Sequence, residues 1–217
     1  MLYTKNSFSS AKAFTLIELL VVIGIIAVLA GGIGLALRDN NPGSALRSAQ
    51  GLALSSLSAA RGQAALSQNN AELIVQADNA DDRFLRSIRV VVYDTTVSGN
   101  WRQVGSEILL PVGVYIVPPS DITGVKFDST NGAWTTKQST FFVSGGLPSL
   151  STGDSSKLLI SYPITSLGTV SQGGRIVVAT AHKSGATSIV FDNPDSVRAL
   201  DISRYGVASL INEADSL

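Results

Sequence analysis

Hydrophobic and polar positions follow three different rhythms along this chain. Residues 1–13, MLYTKNSFSSAKA, are polar, with Lys5 and Lys12 the only charges. Phe14 to Arg38 then reads FTLIELLVVIGIIAVLAGGIGLALR, and from Leu19 to Leu37 no charged or strongly polar residue interrupts a run of about 19. At 1.5 Å per residue, Phe14 to Leu37 predicts a helix of roughly 35 Å, enough to span a bilayer core. Lysines before the run and few charges after it predict that the N-terminus stays in the cytoplasm and the remainder is exported. Asp39 to Gly43 (DNNPG) reads as a break or kink. The second rhythm follows it: Leu46, Ala49, Ala53, Leu57, Ala60 and Ala64 recur at steps of three and four, one apolar stripe of a half-exposed helix. Arg47, Arg61, Gln63 and Gln68 fall on its other faces, and Gln68-Asn69-Asn70 ends it.

From Ala71 the period shortens to that of strands. Runs rich in Val, Ile and Tyr, separated by Gly, Asn, Asp, Ser and Pro, predict antiparallel β-structure. They cover 72–77, 88–94, 107–110, 112–117, 124–128, 140–144, 157–162, 175–181, 187–191 and 197–203. Ser144 to Ser156 is Gly/Ser-rich and reads as a surface loop. The fold class is therefore α+β, a long N-terminal helix with a membrane-spanning half and an amphipathic half, packed on antiparallel sheets. The organisation is a leader (1–13), a transmembrane helix (14–37), an amphipathic helix continuing that spine (38–70) and an exported β-rich domain (71–217).

One residue breaks the hydrophobic logic. Glu18 lies inside the apolar segment, where a carboxylate costs on the order of 3 kcal/mol at mid-bilayer even on lenient insertion scales. Solvation at the headgroups would relieve it, but a simple anchor has no need of it. If the chain is cut before Phe14, the new ammonium lies about 6 Å along the helix axis from Glu18. The ammonium of one subunit then pairs with the carboxylate of a staggered neighbour. An Ala-x-Ala pattern (Ala11, Lys12, Ala13) precedes the apolar run, whereas an ordinary secretory signal is cleaved after it; Gly43-Ser44-Ala45 is the competing site.

Ala13-Phe14-Thr15-Leu16-Ile17-Glu18, leading into Leu19-Leu20-Val21-Val22-Ile23, resembles the cleavage and methylation signal of type IV prepilins and type II secretion pseudopilins. The resemblance covers roughly residues 1–37. It implies cutting between Ala13 and Phe14 by an inner-membrane prepilin peptidase, N-methylation of Phe14, and a role for Phe14 and Glu18 in filament assembly. Ala13 stands where the family usually has Gly, the mildest of departures. The order of helix and strands, with Ser44–Val75 and the closing Val197–Ile211, is most similar to the minor H-type pseudopilins. The implied protein is a single-pass subunit of the bacterial inner membrane with a periplasmic domain, which joins a filament of a type II secretion-like system. Its implied partners are the peptidase, other pilin or pseudopilin subunits, membrane lipid and secreted cargo. A minor subunit of a type IV pilus for adhesion or DNA uptake, and an anchored binding domain that never polymerises, are the alternatives.

Composition changes this picture little. Lys+Arg 16 against Asp+Glu 16 gives no general pull toward polyanions, and 15% charged with 45% hydrophobic residues fits a folded domain. The absence of cysteine excludes disulfides and thiolate chemistry, and a single histidine, His182, excludes histidine-rich metal sites. His182 and Lys183 read as part of an exposed turn. Ser9-x-x-Lys12 has a serine–lysine acylase spacing but lies in the leader without companion motifs. Nothing in the sequence assembles an enzyme's acid–base cluster. Asp128, Asn131, Asp192 and Asp195 offer oxygens of the type Ca²⁺ takes, although Asp and Asn are also the ordinary turn residues, which is the preferred reading. Arg198 and Arg204 are offset by Asp195 and Asp201, and the chain ends Glu213-Ala-Asp215, which argues against nucleic acid. Gly31, Gly32 and Gly34 offer either close helix packing or a soft point in the apolar helix.

Overall fold

The structure, a computed structural model, describes residues 16–36, 42–97, 100–128, 134–140, 143–144 and 159–217. The chain divides into two units, 1–40 and 41–217. The first contains α1 (Leu16–Ala36), whose unbranched and β-branched apolar residues leave only Glu18 charged.

The second unit opens with α2 (Pro42–Ser67). Pro42 and Gly43, the last residues of the expected break, lie in the first turn of the helix, and Asp39 to Asn41 lie outside the described residues. Proline is at home there, because its missing N–H belongs to the set that no helix satisfies. The predicted stripe is buried throughout, from Leu46 to Ala64. Gln50 and Ser56 are buried with it. The Gln50 amide donates to the Ala199 carbonyl at 2.8 Å and the Ile211 carbonyl at 3.0 Å, and Ser56 donates back to the Leu52 carbonyl at 2.8 Å. Arg61 is half-buried; it donates through Nε to the Gly168 carbonyl and through Nη2 to the Tyr205 carbonyl, holding two turns against the helix. Gln68, at φ 53°, ends the helix in the left-handed region.

The strands are β1 (Ala71–Gln76), β2 (Ser87–Tyr93), β3 (Trp101–Leu109), β4 (Val114–Ile116), β5 (Val125–Phe127) and β6 (Val143–Ser144). Then follow β7 (Leu159–Ile164), β8 (Gly174–Thr180), β9 (His182–Lys183), β10 (Ile189–Phe191), β11 (Val197–Ile202) and β12 (Ala208–Ile211). They form sheets ordered β3-β2-β1-β7-β6, β12-β11-β8-β4 and β5-β10-β9. The first two are antiparallel throughout, and α2 packs on both, sharing one core that includes Leu73, Val90, Tyr162, Val177 and Leu200. The Ala-rich stripe is what lets a helix backbone approach two sheets at once.

Three expectations are corrected. The pairing of β5 with β10 is parallel, with Val125 opposite Ile189 and Phe127 opposite Phe191, so the fold is not purely antiparallel. The ring stack of Phe127 on Phe191, centroids 5.4 Å apart, with Trp134 against both, holds this small sheet together. The third strand begins at Trp101, well before Glu107, because Gly105 at φ 74° absorbs a bulge between the Val90–Val104 and Ile88–Ile108 pairs. The short strands β9 and β12 have no counterpart in the sequence reading, and β7 runs on to Ile164 through Pro163. The predicted loop after Ser144 lies outside the described residues.

Candidate functional site

Glu18 sits in the first turn of α1, where a carboxylate is favoured by the unpaired N–H groups of a helix N-terminus. Its setting is unusual in a folded chain. Leu16, Ile17, Leu19, Leu20, Val21, Val22, Ile23, Ile25 and Ile26 are each at least half exposed, and at 100° per residue they cover the whole circumference. A helix apolar on every side needs lipid or other helices around it. Among the described residues, no helix is long and apolar enough to cross a membrane. Ala13 and Phe14, the expected cleavage and methylation residues, lie outside the described residues, as do Ser9 and Lys12.

The acidic turns are brought closer than the sequence suggests. The parallel β5–β10 register carries Asp128 to the end of β10, and its N–H donates to the Phe191 carbonyl at 3.0 Å. Asp192 is engaged by His182, Nδ1 to Oδ2 2.6 Å, and the Asp195 N–H donates to the Asn193 side chain at 2.9 Å, an Asx-type turn. Asn131 lies outside the described residues. Among the described residues, no group of three or more His, Asp or Glu side chains is arranged to hold a metal ion. His182 and Lys183 belong to β9, paired with β10, rather than to the turn; the turn is the next segment, closed by the Ser184 N–H to the Ser188 carbonyl.

Among the described residues, two carboxyl groups, Asp94 and Glu72, are displaced from their ordinary range in opposite directions. Asp94 is held down to about 2 by the hydroxyl and N–H of Thr96 and by Arg102. Glu72, in the middle of the five-stranded sheet, is pushed up by burial, against the opposing effect of a hydrogen bond from the Ser161 hydroxyl. Its Oε2 is buried without a hydrogen-bond partner. On the same sheet face, β2 places Arg89 and Tyr93 two residues either side of Val91, which is opposite Glu72; β7 contributes Ser161 and Pro163. A carboxyl whose folded value is raised contributes stability below its unfolded value, near 4.5, and that contribution is lost as pH rises through the folded value. Glu72→Gln is therefore expected to raise the unfolding temperature at pH 7.5 by about 2 °C or more, the gap closing by pH 4. Thermal unfolding of both chains at the two pH values measures it, and an equal gap at both would contradict a buried charge.

Sequence reasoning did not single out Glu72, the second residue of β1, or Gln50, one position off the apolar stripe. A Glu flanked by strand residues of a five-stranded sheet centre is a signal only once strand order is known.

The searches of curated proteins and of solved structures found no match. One family model does match, the prokaryotic N-terminal methylation motif, over residues 8–34. That stretch contains Ala13, Phe14, Glu18 and most of α1, and with it the chain carries the signature of type IV prepilins and pseudopilins.

Proposed function

We propose that the chain is a minor pseudopilin, cut before Phe14 and N-methylated there by a prepilin peptidase, that enters a periplasmic filament of a type II secretion-like machine. The supporting observation is the coincidence of the methylation motif with Glu18 on a helix that is apolar all round. α1 rises about 31 Å over its 21 residues, and in this reading it rests in the inner membrane with the N-terminus cytoplasmic and the domain from residue 42 outside. Extraction from lipid into a filament exchanges one apolar surrounding for another, so the helix itself loses little. The Phe14 ammonium and a neighbour's Glu18 carboxylate neutralise each other and set the axial register. The folded domain then contacts neighbouring subunits or cargo, and the protein acts by assembly without catalysing a reaction.

The test is the intact mass and N-terminal sequence of the protein purified from its own membranes. The expected result is a chain beginning at N-methylated Phe14. A start at Met1, or beyond Gly43, would overturn the processing reading and leave an anchored or secreted β-rich domain.

A further inference from the structure

An open groove runs along one flank of α2, where the helix meets the face of β11 and β12. It encloses about 410 Å³, and Arg47, Gly51 and Leu54 of the helix face Arg198, Leu210 and Asn212 of the sheet across it. The helix residues stand three and four apart and so form one stripe. Arg198 and Asn212 lie one step beyond the Ala199–Ile211 pair, and the Arg198 Nη1 donates to the Asn212 side-chain oxygen at 2.5 Å. Gly51 keeps the groove open. A Cβ at this position would meet no atom within 4 Å, so the fold itself does not require glycine there, although glycine costs a helix interior about 1 kcal/mol relative to alanine.

The two arginines bring charge without a counter-charge. Among the described residues, neither Arg47 nor Arg198 takes part in an ion pair. Asp201, near Arg198 in sequence, points to the opposite sheet face and pairs with Arg175 at 3.9 Å. Glu213 follows Asn212 in extended backbone, so its side chain projects the other way. Beside the arginines, β12 is an edge strand. The hairpin before it closes with the Ser203 N–H on the Val207 carbonyl at 2.9 Å, which makes Asp201–Ser209 and Ala199–Ile211 the hydrogen-bonded pairs of the ladder. Leu210 therefore turns its N–H and C=O to the open edge, and its side chain is 52% exposed. Edges are commonly blunted by charge, proline or a bulge. The edge strand β3 has Arg102 and a bulge, whereas Ala208–Ile211 has none of these. We propose that this groove docks an extended acidic segment of another polypeptide, which adds a strand to β12. An Asp or Glu carboxylate of that segment lies between Arg47 and Arg198, and an apolar side chain rests on Leu54 and Leu210. The unpaired arginines select an acidic partner, and their planar forks suit a carboxylate. The free edge selects a peptide, because neither a lipid headgroup nor a nucleic acid can continue a backbone ladder. The site lies within residues 47–212 and does not depend on processing at Phe14.

The experiment follows the fluorescence anisotropy of a fluorescein-bearing peptide, Thr-Glu-Ser-Leu-Ser-Val-Thr, titrated with the full-length chain in a non-ionic detergent. Alternation puts its Glu, Leu and Val on one face. The expected result is saturable binding, weakened about tenfold when the peptide Glu becomes Gln and about tenfold in the double variant Arg47→Ala, Arg198→Ala. Gly51→Leu fills the groove and should weaken binding as much, while its unfolding temperature stays level or rises, since leucine is the better helix former. Amide hydrogen exchange at Leu210 should slow when the peptide is bound. No saturable binding, equal binding of the Gln peptide, undiminished binding by folded Gly51→Leu or by the double variant, or unchanged exchange at Leu210 would each overturn the proposal. Tighter binding of a short oligothymidylate through the same two arginines would overturn it in favour of a nucleic acid.

Discussion

Glu18→Ala and Glu18→Val are expected to abolish incorporation into filaments while leaving the amount of membrane-associated chain unchanged or higher. Both substitutions remove the one charge of α1, so insertion into lipid becomes easier by on the order of 3 kcal/mol on insertion scales. The cost falls on assembly. With Glu18 gone, the Phe14 ammonium of each incoming subunit would be transferred into a bundle of apolar helices with no counter-charge. Leaving one member of a buried pair unpaired costs roughly 3–5 kcal/mol, more than a hundredfold in an association constant at each step of addition. Glu18→Gln should rank between the parent and the alanine variant, because it keeps an acceptor and loses the charge. The measurement is the ratio of sheared or cross-linked filament subunits to membrane-extracted monomer, with N-terminal sequencing to show that each variant is still cut before Phe14. A processed Glu18→Ala chain that assembles as well as the parent would remove the physical basis of the filament reading and favour a monomeric anchor.

How much of this was legible in advance depended on the range of the interaction. Glu18 stood out because its neighbours from Leu19 onward are uniformly apolar, a purely local contrast. The stripe from Leu46 to Ala64 was equally readable, since helix periodicity is fixed by covalent geometry. The strands were found mostly to within two residues, but not their partners. That β5 and β10 run parallel is set by which segments bury Phe127, Trp134 and Phe191 together, a choice made by packing across more than sixty residues of sequence. Trp101 to Ser106 failed as a strand reading because Arg102, Gln103 and Gly105 dilute its alternation, and the bulge at Gly105 shifts the faces halfway along. β12 is half-exposed at a sheet edge and so carries only a thin apolar signal. Glu72 and Gln50 were invisible for the complementary reason. Each is polar in a segment that is otherwise ordinary, and each acquires meaning from a residue far away in sequence, Trp101 and Pro163 for the first, Ala199 and Ile211 for the second.

Leu57→Ala is expected to destabilise the domain by about 2–5 kcal/mol, toward the upper end of that range. Leu57 is 1% exposed, the largest side chain of α2 among the fully buried ones, and its helix neighbours on the buried face are Ala53, Ala60 and Ala64. Methyl side chains have no reach, so they cannot swing into the space a truncated leucine leaves. The sheet side offers backbone-anchored strands fixed by pairing on both flanks, and these collapse little. A cavity that stays open adds its own cost to the lost transfer energy. For a domain of this size each kcal/mol lowers the unfolding temperature by about 2–4 °C, so a drop of roughly 4–20 °C follows. Leu66→Ala makes the same chemical change in the same helix at a position 81% exposed, and there the expected shift is within about 0.5 kcal/mol. Thermal or denaturant unfolding of the monomeric chain in detergent measures both. Equal shifts for the two variants would mean that α2 is not seated on the sheets through its alanine-flanked leucine, and that the helix is held by the side-chain hydrogen bonds of Gln50 and Arg61 instead.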